Sequence, residues 1–188
     1  MKIIRNDSMF KVIFLLLIPG LAISGYTIAG KDPIVPSNLA IPAGNKLIFH
    51  AFAKGVQIYR CTPDKADTNR FSWTFVAPEA DLYAHVNDSR RVGRHYAGPT
   101  WESTDGSKVV GLKLQQADSP DPAAIPWLLL RPASDSGAGI FHKLSFIQRV
   151  YTKGGKAPAT IADRAHSGQE VRVAYTAEYF FYRVAEAK

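Results

Sequence analysis

Residues 171–182 constrain the fold more tightly than any other part of the chain. Val171, Val173, Tyr175, Ala177, Tyr179 and Phe181 share one side of an extended backbone, and Arg172, Thr176 and Glu178 share the other. A period of two places one apolar face on a strand but would scatter those side chains around a helix. So aromatic a strand is expected either to be central or to pair along both edges. No window of a dozen residues in the chain beyond the N-terminal 29 sustains a helical period, so the core has to come from sheets.

The remaining runs agree. Residues 46–53 and 55–61 read as strands, with Lys54-Gly55 as a tight reversal between them. Phe71, Trp73 and Phe75 alternate in a third strand and are candidate core residues, while 78–82 reads as a helical turn and 83–86 as a short strand. Asn87-Asp-Ser-Arg90 is a turn signal. Asp105-Gly106 supplies the positive-φ residues of a hairpin turn, leading into 108–115 with Val110, Leu112 and Leu114 on one face. Ile125-Pro-Trp-Leu-Leu-Leu130 suits a strand buried on both faces, with Pro126 at its start. Residues 131–139 read as a loop, 140–152 as one long or bent strand, and 161–169 as a polar loop with a helical turn. The expected fold is all-β: a single-domain antiparallel β-sandwich or partly closed β-barrel of about nine short strands, spanning 46–188.

The N-terminus reads as an address. Lys2, Arg5 and Lys11 precede the apolar run 12–18, Pro19-Gly20 breaks it, and Ala22-Ile-Ser24 and Thr27-Ile-Ala29 each offer a small-residue cleavage pattern. That order predicts a signal peptide over 1–29, cleaved after Ser24 or Ala29, and a secreted or periplasmic protein without a transmembrane anchor after cleavage. The alternative is a retained anchor, although the apolar run is short for a span of roughly 20 residues. Residues 30–45, punctuated by Pro33, Pro36 and Pro42, predict an extended Pro-rich lead-in.

Hydrophobic residues make up 46% of the 188 and charged residues 21%, a globular balance. The formal net charge of +7 contains Lys2, Arg5, Lys11 and Asp7, so +5 remains beyond residue 29. That mild excess suits solubility; it is compatible with acidic glycans, an anionic envelope surface or nucleic acid but selects no specific nucleic acid. Cys61 is the single cysteine, which excludes an internal disulfide and a four-sulfur metal site. It reads as a small buried side chain, or else as a reactive or intermolecular thiol.

Polar chemistry concentrates in Val92-Gly-Arg-His-Tyr-Ala-Gly-Pro-Thr-Trp-Glu102, an irregular strand-loop-strand. His95 titrates near neutrality, and a carboxylate such as Glu102 could orient its ring. Trp101 beside Glu102 would make a stacking platform for a sugar. His95, Tyr96, Trp101, Glu102 and Arg149 are therefore the candidate ligand-binding residues. In the plainer alternative Trp101 and Tyr96 are core and Glu102 pairs with Arg94 or Arg149. Arg60 and Arg149, each inside an apolar strand, need partners, for which Glu102 and Glu178 are candidates; Arg60 and Glu178 are taken as members of structural ion pairs. His50, His85, His95, His142 and His166 are scattered without metal-ligand spacing, so no metal and no cofactor is expected. No Gly-x-Ser-x-Gly, P-loop or dinucleotide fingerprint is present. Glu102 and Glu178 facing each other as glycosidase carboxylates is a remote alternative. Lys153-Gly-Gly-Lys156 reads as an exposed turn with capacity for an anion.

Several phrases together resemble a known family. Gly55-Val-Gln-Ile-Tyr-Arg-Cys61, Ala77-Pro-Glu-Ala80, Gly93-Arg-His-Tyr-Ala-Gly-Pro-Thr-Trp-Glu102, Asp105-Gly-Ser107, Ile125-Pro-Trp-Leu-Leu-Leu130 and Tyr175-Thr-Ala-Glu-Tyr-Phe-Phe-Tyr182 occur in the order seen in the exported bacterial and fungal domain of unknown function family 3455. The likeness runs over about residues 36–183. It implies an exported β domain and no particular activity. Members tend to carry a second cysteine just after a Gly-Gly-x-Ala-Pro phrase; here Gly154-Gly-Lys-Ala-Pro158 is followed by none through Gln169. The functional expectation is a non-catalytic ligand- or envelope-binding module, its ligand a glycan or envelope component. The alternative is a small hydrolase or lyase using His95 and Glu102 on a carbohydrate-like substrate, and a third reading is a purely structural envelope protein.

Overall fold

A computed structural model describes residues 31–186. The expected signal peptide, 1–29, lies outside the described residues. Eight strands follow in chain order: β1 Asn45–Pro63, β2 Phe71–Tyr83, β3 Arg91–Tyr96, β4 Thr100–Ser103, β5 Lys108–Ala117, β6 Trp127–Ser136, β7 Phe146–Gly154 and β8 Glu170–Val184. Among the described residues the helical elements are two 3-10 turns, Ser37–Leu39 and Arg164–His166. Each strand pairs antiparallel with its sequence neighbours, and β8 returns to pair with β1 from Asn45↔Val184 to Arg60↔Glu170. The sheet therefore closes on itself and removes most of its free edges. β8 pairs on both sides, with β7 and with β1.

The ring is uneven. β6 meets β7 only through Leu128, Leu129 and Leu130. β3 joins β2 only from Ala80 to Tyr83, and β4 joins β5 only at Lys108, Val109 and Val110. Because β3 and β4 are short, the first half of β2 and the second half of β5 have no strand between them. That leaves a window in the wall.

Several local expectations change, each for a tertiary reason. Lys54-Gly55 does not reverse the chain. Both residues are paired on both sides, to Asp81 and Ala80 and to Thr176 and Tyr175, so 46–53 and 55–61 are one strand. Gly55 is required for close approach instead, since a Cβ there would lie 2.1 Å from the Glu79 carbonyl oxygen. Residues 78–82 are strand, not helical turn. Pro78 is tolerated because β2 there pairs with β1 alone. Residues 83–86 add no strand beyond the end of β2 at Tyr83. Residues 131–136 extend β6 against β5 rather than forming a loop. Within 140–152 the strand begins only at Phe146; Phe141 and Leu144 fold inward as buried plugs, Phe141 packing on Phe49 and Phe181.

Two apolar clusters result. The inner one holds Phe49, Ala51 and Ala53 of β1, Leu82, Trp101, Val109, Leu130, Ile147 and the alternating side chains Tyr175, Ala177, Tyr179 and Phe181 of β8. The outer one forms where the lead-in crosses the opposite face of β6, β7 and β8, with Leu39 fully buried against Trp127, Leu129, Val150, Phe180 and Tyr182. Gln148 donates from Nε2 to the Leu39 carbonyl (2.6 Å) and accepts from the Tyr182 hydroxyl (2.9 Å). Two expected core stripes lie elsewhere. Phe75 is 50% exposed, with Phe71 and Trp73 only half-buried, because no strand covers that part of β2. On β5 the inward face carries Val109 and Gly111. Leu112 alternates with these two and points outward, 45% exposed, and Leu114, at the irregularity between Lys113 and Gln115, is 40% exposed.

Candidate functional site

Val92–Glu102 forms the β3–β4 hairpin, turned by Ala97-Gly98-Pro99. Its register decides which side chains meet: His95 opposes Trp101, and Arg94 opposes Glu102. Neighbouring positions on a strand point to opposite faces. His95 and Trp101 therefore enter the ring, whereas Glu102 lies on the outside, and the two proposed proton-handling residues do not meet. Trp101 and Glu102 likewise share no surface on which a sugar could both stack and hydrogen-bond.

Outside, Glu102 accepts hydrogen bonds from the Tyr96 hydroxyl (2.8 Å) and Arg94 (3.1 Å), with Lys108 at 3.7 Å. The Tyr96 hydrogen bond and these two cations hold its carboxyl below the usual range. Arg60 pairs with Glu170 (2.6 Å), and Glu178 with His50 (2.8 Å), so the two ion-pair candidates do not meet each other. Arg149 pairs with neither Glu102 nor Glu178: its Nε and Nη2 donate to the Pro126 carbonyl at 3.2 and 2.8 Å. Among the described residues no carboxylate lies within 4.0 Å of Arg149.

Inside, His95 is 2% exposed, its ring stacked on Trp101 at 4.4 Å and edge-on to Tyr179 at 5.1 Å. Nδ1 lies 2.9 Å from the Thr100 carbonyl oxygen, which can only accept, so Nδ1 carries the proton and Nε2 the lone pair. Burial outweighs that hydrogen bond, and with the nearby Arg149 charge it lowers the pKa to about 3. The ring is neutral at physiological pH. Trp101 fits because residue 111 is glycine; a Cβ there would stand 2.7 Å from its indole.

These rings face a cavity of about 300 Å³. Phe75, Val76 and Pro78 of β2 and Leu128 and Leu130 of β6 form apolar walls, and Gly98-Pro99 lies at its edge. His95, Trp101, Gln57, Tyr179 and Arg149 supply the polar groups. Arg149 is the cross-strand neighbour of both Leu128 and Tyr179, which puts it on the inner face. No aspartate or glutamate lines the cavity. Gln57 Nε2 and the Tyr179 hydroxyl are enclosed without a well-formed hydrogen bond to the protein, as are Trp101 Nε1 and the adjoining Tyr175 hydroxyl. The Tyr175 hydroxyl lies within weak reach of Gln57 and Tyr179, and that of Tyr179 within weak reach of Arg149, but none of these contacts is well aligned; burial dominates and raises both phenols. At the far end Gly155 packs on Gln57 and Tyr175, and its carbonyl accepts from Tyr59 (2.7 Å). Lys153-Gly-Gly-Lys156 is thus partly structural: Gly155 is buried, although both lysines are exposed.

Gln57, Tyr179, Leu128 and Leu130 were not singled out by sequence reasoning. Gln57 carried a usable signal, as a polar residue on the face of its strand shared with Tyr59 and Cys61. Cys61 is fully buried, Sγ 3.6 Å from the Asp163 carbonyl oxygen. Among the described residues no group of three or more His, Cys, Asp or Glu side chains is placed to hold a metal ion.

A closed antiparallel sheet with a mixed polar and aromatic chamber inside it makes the described residues an all-β domain. Residues 42–183 match the family model described as "Protein of unknown function (DUF3455)", and the chain belongs to that family. No curated protein and no solved structure matches it.

Proposed function

We propose that this protein is an exported, non-catalytic binding module that takes up a small, partly apolar ligand inside the ring. One observation carries the reading: Gln57 Nε2 and the Tyr179 hydroxyl are buried without good protein partners at the wall of a 300 Å³ cavity. Unpaired buried polar atoms are costly and uncommon. A chamber of that size, mainly apolar with a few convergent polar groups, suits a small molecule. Access runs through the window between β2 and β5, where Phe75 and Val76 of the cavity wall are exposed. Binding is favoured over hydrolysis because His95 lacks a carboxylate partner and no acidic side chain lines the chamber.

Export rests on the basic, apolar and small-residue order of 1–29. Among the described residues no helix is long and apolar enough to cross a membrane. Fractionation of cells expressing the full chain, with N-terminal sequencing, is expected to find a mature form beginning at Gly25 or Gly30; a full-length product in the cytosol would refute export. For the cavity, a panel of small aromatic and aliphatic molecules followed by ligand-observed NMR is expected to yield binders whose signal is lost in Leu130→Trp, which fills the chamber. Unchanged binding to a folded Leu130→Trp protein would place the site elsewhere.

A further inference from the structure

We infer that the ligand is a monoanion, a small aromatic or short-chain carboxylate, whose negative group sits against Arg149 while its apolar body lies between Trp101, Leu128 and Leu130. The inference rests on the cavity reading above and adds the chemistry of the occupant. Arg149 is a partly buried cation on the inner face, and no carboxylate lies within 4.0 Å of it among the described residues. Partly buried charge without a counter-charge is unfavourable. Its two hydrogen bonds to the Pro126 carbonyl fix the guanidinium through Nε and Nη2 beside the Tyr179 hydroxyl. A positioned guanidinium with no carboxylate partner, beside a tyrosine hydroxyl, suits the planar oxygen pair of a carboxylate.

Charge balance selects the valence. Arg149 is the single cation lining the chamber, since His95 is neutral there. A monoanion neutralises the site, whereas a dianion such as a phosphate monoester would bury a surplus negative charge. The neighbouring groups complete the recognition: Gln57 Nε2 and the Tyr179 hydroxyl offer donors, and His95 Nε2 offers an acceptor to a ligand hydroxyl.

The test compares four probes of one shape on the full chain as isolated from its host: benzoate, benzamide, benzamidine and phenyl phosphate, by ligand-observed NMR titration. Benzoate is expected to bind about tenfold or more tightly than benzamide, the range of a charge-assisted hydrogen bond, and tighter still than the cation and the dianion. The preference should vanish in Arg149→Gln and partly return in Arg149→Lys. Equal affinity for benzoate and benzamide overturns the anion inference and leaves the cavity reading intact. Preference for benzamidine or phenyl phosphate overturns the charge assignment. Failure of all four to bind overturns the cavity reading itself. Should the Arg149 variants not fold, the benzoate-to-benzamide ratio on the unmodified protein decides alone.

Discussion

Lowering the pH from 7.5 to 4.5 should destabilise this protein mainly through one side chain. Burial among Trp101, Tyr179 and the Arg149 charge lowers the His95 pKa from 6.5 to about 3. The unfolded chain therefore takes up a proton below pH 6.5 that the folded chain refuses. The stability contributed by neutral His95 is fully present above 6.5 and declines as the pH falls, levelling off near 3. The loss is about 1.4 kcal/mol per pH unit, so on the order of 3 kcal/mol at pH 4.5. Against a total stability on the order of 5–15 kcal/mol that is a large fraction. The depressed carboxyls of Glu102, Asp105, Asp135 and Asp163 act in a different window. Their contribution is present above the unfolded carboxylate pKa of about 4 and is lost below it. Urea unfolding at pH 7.5, 6.5, 5.5 and 4.5 measures the slope. His95→Asn is the control: it keeps a donor for the Thr100 carbonyl, does not titrate, and shares His50, His85, His142 and His166 with the parent. The parent should lose about 2–3 kcal/mol more than the variant over this range. Equal slopes for the two proteins would show that His95 is not held neutral by burial.

Three further outcomes follow from the packing. Gly111→Ala puts a methyl group 2.7 Å from Trp101 and 3.2 Å from Leu130; it should cost about 1–3 kcal/mol and change the near-ultraviolet dichroism, and an unaltered spectrum would contradict the close approach. Leu39→Ala should cost about 2–5 kcal/mol in urea unfolding, because the fully buried Leu39 anchors the lead-in over β6, β7 and β8; a cost near zero would mean that the lead-in does not pack. The Cys61 thiol, fully buried beside Asp163, should resist a disulfide reagent in the native protein and react once urea unfolds it; rapid native reaction would refute its burial.

The fold class was legible because period-two patterning is local. The inward face of β8, the Asp105-Gly106 turn and the β3–β4 hairpin could all be read from residues a few places apart. The misread elements share a cause. Lys54-Gly55 carries turn chemistry, but a partner on each side holds it extended. Phe71, Trp73 and Phe75 alternate like a core stripe, yet the strand that would cover them stops short. Val110, Leu112 and Leu114 alternate like another core stripe, yet Val109 and Gly111 take the inward face and leave the leucines outside. The site was half legible: the hairpin that carries His95 and Trp101 was singled out, as was Arg149. The partners assigned to His95 and Arg149 were acidic, whereas the structure surrounds both with tyrosine, glutamine and apolar walls.

Local patterning alone requires this chain to build its core from strands, and shows which alternating side chains of the last strand are apolar, because a pleat repeats every two residues whatever its neighbours do. Long-range packing fixes that the sheet closes, that β3 and β4 end early enough to leave a window, and that Gln57, Tyr179 and Arg149 line one chamber. Those outcomes depend on the register between strands as distant as Asn45 and Val184. Register is set by many side chains fitting at once, and a single step of slip would send His95 to the solvent and Glu102 to the interior.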